Sequence, residues 1–410
     1  MTLQADSGAA LPTVAISARA ARRLAGGFLW VYSNEIEGRD DQPEPAYWCR
    51  FIRERRTIAT GYYNRHSLIA GRAVALSEVG NLKQLLDERL LQAIARRRPL
   101  DKGRSVRLVF SEADLLPGLV IDFYPPYAVI QSNTAGMDRL LPLLEDRLPG
   151  IIAETLKAPL EGLVLRCDAR VRHLEAVGSF TRVALGEAAA MSSAQVQENG
   201  VNYAADLVAG QKTGFFLDQR DNRLHFGALT RKIAASRVLD LFCYSGGWGL
   251  RALHEGAGHV TFVDQSREAL HLVEKGLAAN RMPAEKARLH CSGVFEFLAL
   301  ESALYDVVVV DPPAFAKSRK DLPQAIKAYQ KLNRLAWRRL RPGGILFTCS
   351  CSHHLSESDV LKLVAAAVAR ERGWAHLIYR GRQAQDHPVL LSMPETSYLK
   401  CLGLQKMPVS

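Results

Sequence analysis

Residues 238–249 read VLDLFCYSGGWG. The first five form an apolar run of buried-strand length. The glycine pair Gly246 and Gly247 then allows a tight turn and a close backbone approach to a ligand. The lysine and Ser/Thr of a P-loop are missing and the glycines lack the dinucleotide-fingerprint spacing, which weakens a phosphate or dinucleotide reading. HVTFVD at 259–264, ARLH at 287–290, YDVVVVD at 305–311 and GILFTCS at 344–350 repeat the strand signal, each followed by a helical stretch. This repetition predicts a mostly parallel sheet with helices on both faces, whose ligands sit at the carboxyl ends of the strands.

The residues at those ends are therefore the site candidates. Asp264 closes the second strand, where a carboxylate can accept hydrogen bonds from two ribose hydroxyls or simply cap the next helix. The fourth strand runs into Asp311-Pro312-Pro313-Ala314-Phe315. Consecutive prolines fix φ and remove two donors, a stiff corner suited to holding a flat ring. The fifth carries Cys349 and Cys351, which point the same way if the strand continues that far. A Cys-x-Cys-x-His metal site with His353 can be drawn, but recurrent zinc spacings leave two to four residues between cysteines, and no fourth ligand is evident. A disulfide between them would be strained.

Upstream, VAIS, CRFI and TIATGYY read as short strands. Arg19, Arg22, Arg23, Arg53, Arg55, Arg56, Arg65 and Arg72 lie among Phe28, Trp30, Tyr32, Tyr62 and Tyr63. That mixture suits RNA, where guanidinium groups meet phosphates and rings stack on bases; it equally suits a small barrel with an aromatic core and solvated arginines. A helix follows, with Leu85, Leu86, Leu90, Leu91 and Ile94 at helical spacing, closed by Pro99 and Gly103. Residues 104 to about 185 mix strands (VRLVF, LVIDFY, YAVIQS, GLVLRC) with one helix around 137–157. The domains expected are 1–82, 83–195 and 196–410.

The chain has 410 residues, 48% hydrophobic and 23% charged, a soluble globular profile. Its N-terminus lacks a signal-type apolar region and no stretch is long enough for a membrane span, so a cytoplasmic protein with no membrane partner is expected. Seven scattered cysteines indicate free thiols rather than a disulfide framework. The net charge of +11 favours a polyanionic partner.

The set DLFCYSGG, Asp264, DPPAF and FTCSCS, preceded by GQKTGFFLDQRDNR at 210–223, resembles the bacterial RlmI-type ribosomal RNA (cytosine-5) methyltransferases. WVYSNEI and ATGYYNRHSLI resemble that family's N-terminal PUA domain, RLVFSEADLLPGLVID its central domain, and HPVLLSMPETSYLK its C-terminal strand pair. The resemblance implies an α/β fold: a class I methyltransferase (Rossmann-like) domain with a seven-stranded, mostly parallel sheet, preceded by a small β-barrel PUA domain and an α+β central domain. It implies S-adenosylmethionine as cofactor, large-subunit ribosomal RNA as partner and no metal, with a homodimer admitted.

Carried over by position, Asp240, Tyr244, Gly246 and Gly247 hold the methionine part of the cofactor and Asp264 its ribose, with Phe242, Gln265 and Ser266 also cofactor-binding. Lys212, Phe215 and Arg220 line the same pocket, and Asp311 borders it. Where the family has an acid for the adenine amino group, this chain has Ser292 and Gly293, so that contact falls to Ser292 or to backbone. Pro312, Pro313 and Phe315 would seat the base. The implied chemistry is covalent: a cysteine thiolate adds to carbon 6 of cytosine, which activates carbon 5, and Asp311 stabilises the adduct. Cys349, in the motif TCS, is the expected nucleophile, with Cys351 as the alternative. Rival readings are an amino-group methyltransferase, a guanine-N7 methyltransferase and a non-catalytic RNA-binding assembly factor.

Overall fold

The computed structural model describes residues 11–38, 46–98, 104–316 and 319–408. Two compact units emerge. One comprises Met1–Ala194, Asp206–Phe215 and Gln385–Thr396; the other comprises Gln195–Ala205, Phe216–Ala384 and Ser397–Ser410.

The first unit contains two five-stranded sheets. In one, the strands run in the order Thr13–Ala15, Tyr47–Arg53, Arg56–Tyr63, Gly71–Ala75, Trp30–Val31. In the other, the order is Phe180–Leu185, Gly162–Cys167, Tyr127–Ser132, Leu119–Tyr124, Val106–Phe110. The predicted helix spans Leu82–Arg96, started by the Asn81 side chain, which accepts from the Gln84 amide. It buries Leu86, Leu90 and Ile94, but Leu91 points outward, 46% exposed. Pro99 and Gly103 lie outside the described residues.

Trp48, Tyr62 and Val74 of the first sheet share one core with this helix and the second sheet. Glu175 adds a buried polar clasp, accepting from Asn64, Ser67 and Arg72. Tyr62, Tyr63 and Arg72 are thus core groups, while Arg19, Arg22, Arg55 and Arg56 stay exposed. The aromatic-and-arginine mixture of the sequence divides accordingly: some members build the interior and others remain available to solvent.

The second unit is built on a seven-stranded sheet ordered Ala287–Cys291, His259–Asp264, Arg237–Leu241, Tyr305–Val310, Leu340–Ser350, Lys400–Lys406, Ala375–Gly381. Lys400–Lys406 runs antiparallel to both its neighbours, and the other pairings are parallel. Val307–Val310 are wholly buried, as β-branched residues covered by helices on both faces should be. Chain order reverses between Arg237–Leu241 and Tyr305–Val310, so their carboxyl ends open the crevice where such sheets bind ligands.

Candidate cofactor and catalytic site

The glycine turn after Arg237–Leu241 is held in an uncommon backbone conformation. Phe242, Tyr244 and Gly246 all have positive φ, at 61°, 47° and 77°. Left-handed backbone at a non-glycine residue costs on the order of 1–3 kcal/mol and persists only where its surroundings enforce it. The enforcing contacts come from the neighbouring strand. The Cys243 amide donates to the Val263 carbonyl at 3.1 Å, and the Tyr244 amide to Asp264 Oδ2 at 2.9 Å. Asp240 Oδ2 accepts from the Gly249 amide at 2.8 Å, pinning the helix Gly247–His254 to its strand. A Cβ at Gly249 would overlap the Phe262 ring, and one at Gly247 would press on the Arg223 side chain. Arg223 is itself buried, in a two-pronged pair with Glu198 at 2.8 and 2.5 Å.

Asp240, Asp264 and Asp311 end three adjacent strands. Asp240 is wholly buried, and its Oδ1 has no hydrogen-bond partner. Burial, with the charges of Asp311 and Asp264 in support, pushes its carboxyl up to about 8. Asp264 spends its other oxygen on the Ser266 amide at 3.0 Å, and Ser266 in turn caps the helix Arg267–Ala279.

At the Asp311 corner, Gln219 Nε2 lies 3.1 Å from both carboxylate oxygens, and Trp248 Nε1 donates to Oδ2 at 3.0 Å. Pro312 is buried and Pro313 exposed. The Phe315 ring packs on Tyr329 with centroids 4.7 Å apart.

The two thiols have different surroundings. The fifth strand stops at Ser350, so the alternation that would have aligned Cys349 with Cys351 does not extend to the second. Cys349 is 1% exposed and paired in register with Cys401, against Gln219 and Asp311. Burial, Cys401 and the Asp311 charge all push it well above the ordinary thiol value. Cys351 is half-buried, in the electrostatic neighbourhood of Lys400 and of Tyr329. The Lys400 ammonium donates to the Ser352 carbonyl at 2.6 Å and to that of Tyr398 at 2.9 Å, which holds it next to the Cys351 backbone. His353 is exposed on one side and sits beside Tyr398; partial desolvation and the neighbouring Lys400 and His354 charges lower its pKa, so it is neutral near pH 7. Among the described residues no cluster of three or more His, Cys, Asp or Glu could hold a metal.

A family model described as S-adenosylmethionine-dependent methyltransferase matches residues 172–400, more than half of the chain. The chain belongs to the S-adenosylmethionine-dependent methyltransferase family. A PUA-like domain model matches residues 14–75. Relatives named ribosomal RNA large subunit methyltransferase I include one from Tolumonas auensis, 33% identical over 91% of this chain and 94% of its own. Another, from Photobacterium profundum, is 38% identical over 72% of each. Among solved structures, a Streptococcus mutans protein assigned as a SAM-dependent methyltransferase superposes with a TM-score of 0.78, at 18% identity, covering 96% of this chain and all of its own. A methyltransferase complexed with SAH superposes with a TM-score of 0.79, over the same shares. Both likenesses concern the fold.

The cofactor of this methyltransferase is S-adenosylmethionine, and the strand ends fit it. Its sulfonium and ammonium groups are cationic; the carboxylates of Asp264 and Asp311 converge there, and buried Asp240 leaves one unpartnered oxygen free to accept. The second unit gathers Asp240, Phe242, Tyr244, Gly246, Gly247, Asp264, Gln265, Ser266 and Asp311 around adjacent strand ends. Ser292 and Gly293 follow the outer strand Ala287–Cys291, and Ser292 also lines a cavity of about 150 Å³ with Arg288, His290 and Glu296. Arg220 opens the helix Arg220–Lys232 and is buried. Lys212 and Phe215 belong to the first unit.

Gln219, Trp248, Tyr329 and Lys400 were not singled out from sequence, although the first three touch a predicted site residue and Lys400 acts electrostatically on Cys351. Gln219 and Lys400 stand within the segments that carry the family resemblance, and Trp248 directly follows one. That signal marked the segments without saying which side chains face the site.

Proposed function

We propose that this methyltransferase forms 5-methylcytosine in large-subunit ribosomal RNA in the cytoplasm, with Cys351 as nucleophile. The observation that carries the choice of thiol is the Lys400 ammonium held beside half-exposed Cys351, while Cys349 is buried against an aspartate. A cation stabilises the thiolate and a buried anion opposes it. This reverses the preference drawn from the TCS motif. Cys349, paired with Cys401, becomes a packing group under the Asp311 corner.

The Cys351 thiolate adds to carbon 6 of the flipped cytosine, and the electron pair of the 5,6 double bond makes carbon 5 nucleophilic. Bound S-adenosylmethionine supplies the methyl group. The carbon-5 proton then leaves to a base, its electron pair restores the double bond, and the thiolate is expelled. Neutral His353, two residues from the thiol, is suited to receive that proton. Asp311 accepts hydrogen bonds from the base edge, and the Pro312–Pro313 corner with Phe315 seats the ring. The names of the relatives support ribosomal RNA as substrate. Residues 1–82 are read as the RNA-docking part, with Arg19, Arg22, Arg55 and Arg56 available to phosphates; 83–195 serve as the central domain and 196–410 as the catalytic one.

The test is incubation with labelled cofactor and unmodified large-subunit rRNA, followed by bisulfite sequencing. A new conversion-resistant cytosine is expected, lost with Cys351→Ala and retained with Cys349→Ala. Label incorporated without a resistant cytosine would point to nitrogen methylation and end the cytosine-5 reading.

A further inference from the structure

Asp311 does not stand alone on its corner. Gln219, 2% exposed, donates to it through Nε2 and accepts through Oε1 from Asn222 Nδ2 at 2.6 Å. Asn222, 1% exposed, also donates through Nδ2 to the Arg382 carbonyl at 3.0 Å, and its Oδ1 accepts from the Tyr379 hydroxyl at 2.8 Å. The Tyr379 ring is clamped by His225, stacked on it at 3.9 Å and 13°. A Cβ at Gly381 would collide with Asn222 Oδ1, so the bare glycine backbone makes room for the chain of amides.

The order of donors in this chain is not interchangeable. A main-chain carbonyl can only accept, so the Asn222 atom facing Arg382 is the nitrogen. That nitrogen also faces Gln219, which must therefore present its oxygen to Asn222. The Gln219 NH2 is left for Asp311. Polarity thus runs one way, from the Tyr379 hydroxyl and the Asn222 amide through Gln219 into the carboxylate, and Trp248 adds a second donor.

We infer that Gln219, oriented by Asn222 and Tyr379, is a positioning residue that holds Asp311 as an ionised, acceptor-only carboxylate aimed at the target base. The inference rests on the cytosine reading above, which it deepens. Donors on both oxygens favour the charged form. Set at the exocyclic position, a charged carboxylate accepts from the cytosine amine, where uracil's O4 offers only lone pairs. The relay thereby favours a base with an exocyclic amine over one with an exocyclic oxygen.

The decisive variant is Asn222→Asp, which keeps shape and reverses polarity: its carboxylate attracts the Gln219 NH2 and turns the Gln219 oxygen toward Asp311. Turnover on rRNA should fall about tenfold to a hundredfold, the scale of a misaligned reacting group, with the KM for S-adenosylmethionine within about twofold. Asn222→Ala, which frees the amide without forcing it over, should lose less. In parallel, the indole N–H resonance of Trp248, assigned with Trp248→Phe, should move in Asn222→Asp and Gln219→Ala while the other four tryptophans of the chain keep theirs. Equal turnover in Asn222→Asp and Asn222→Ala, or an unmoved Trp248 resonance in a folded variant, overturns the relay. If the wild-type protein produces no 5-methylcytosine, the substrate reading fails by itself, and the indole resonance still decides the relay.

Discussion

Replacing Arg223 by methionine should destabilise the cofactor-binding unit by about 3–5 kcal/mol, the cost of leaving a buried ion without its partner. Glu198 and Arg223 have side-chain exposures of 1% and 2%. They meet through two hydrogen bonds of 2.8 and 2.5 Å, and Arg223 also donates to the Phe216 carbonyl at 3.0 Å. Burial by itself would loosen the guanidinium proton, but the Glu198 charge outweighs it and the pKa is raised. Arg251 approaches the same place but donates to the main-chain carbonyls of Glu198 and Asn199, so it does not replace the lost partner of the carboxylate.

The double variant Glu198→Leu/Arg223→Met carries no stranded charge and should recover most of the loss, since apolar replacement of a buried pair is often neutral. For a unit of about 150–250 residues, 1 kcal/mol moves Tm by roughly 2–4 °C, so the single variant should melt about 6–20 °C lower. The assay is thermal and urea unfolding, following the transition that added S-adenosylmethionine raises, because only the unit that binds the ligand is stabilised by it. Arg223 also lies against Gly247, so cofactor affinity measured by calorimetry should fall in the single variant. A single variant within about 1 kcal/mol of wild type, or a double variant no better than the single, would falsify this account of the turn's support.

The pH dependence of stability should carry a signature of Asp240. Its folded-state value of about 8 exceeds the unfolded one, roughly 3.9, so between those values the folded state holds a proton the unfolded chain has lost. The contribution is complete below about pH 4 and declines by about 1.4 kcal/mol per unit until pH passes 8. Asp240→Asn keeps an acceptor for the Gly249 amide and should flatten the decline in urea midpoint between pH 6 and pH 8; parallel profiles would refute the burial argument. Alkylation offers a direct comparison of thiols. In a Cys291→Ser background, which removes the exposed cysteine, iodoacetamide should label Cys351 first and leave Cys349 unmodified by peptide mass mapping. Lys400→Met should slow that labelling, and an unchanged rate would remove Lys400 from the thiol's environment.

Periodicity and turn chemistry make the catalytic sheet readable in the sequence. Valine-rich runs ending in Asp240, Asp264 and Asp311 became adjacent parallel strands, because burial on both faces leaves a continuous apolar signature in each. The start of the helix Glu357–Arg370 follows an equally local rule: Ser356 and Asp359 exchange side-chain-to-backbone hydrogen bonds. The glycine turn was legible too, since close backbone approach demands residues without a Cβ.

The roles of the two cysteines were not local. They depend on where the fifth strand ends and on the antiparallel Lys400–Lys406 strand, whose register sets Cys349 opposite Cys401 and Ser350 opposite Lys400. No window around FTCSCS contains Lys400, nor does any window around DPPAF contain Gln219 or Trp248. Spacing along the chain was enough for the fold and for the list of acids and thiols, and the likeness of the motifs to a known family supplied the cofactor class. Only the tertiary structure decided which thiol faces a cation and which donors hold Asp311, because charge and hydrogen bonding act through space between segments far apart in sequence.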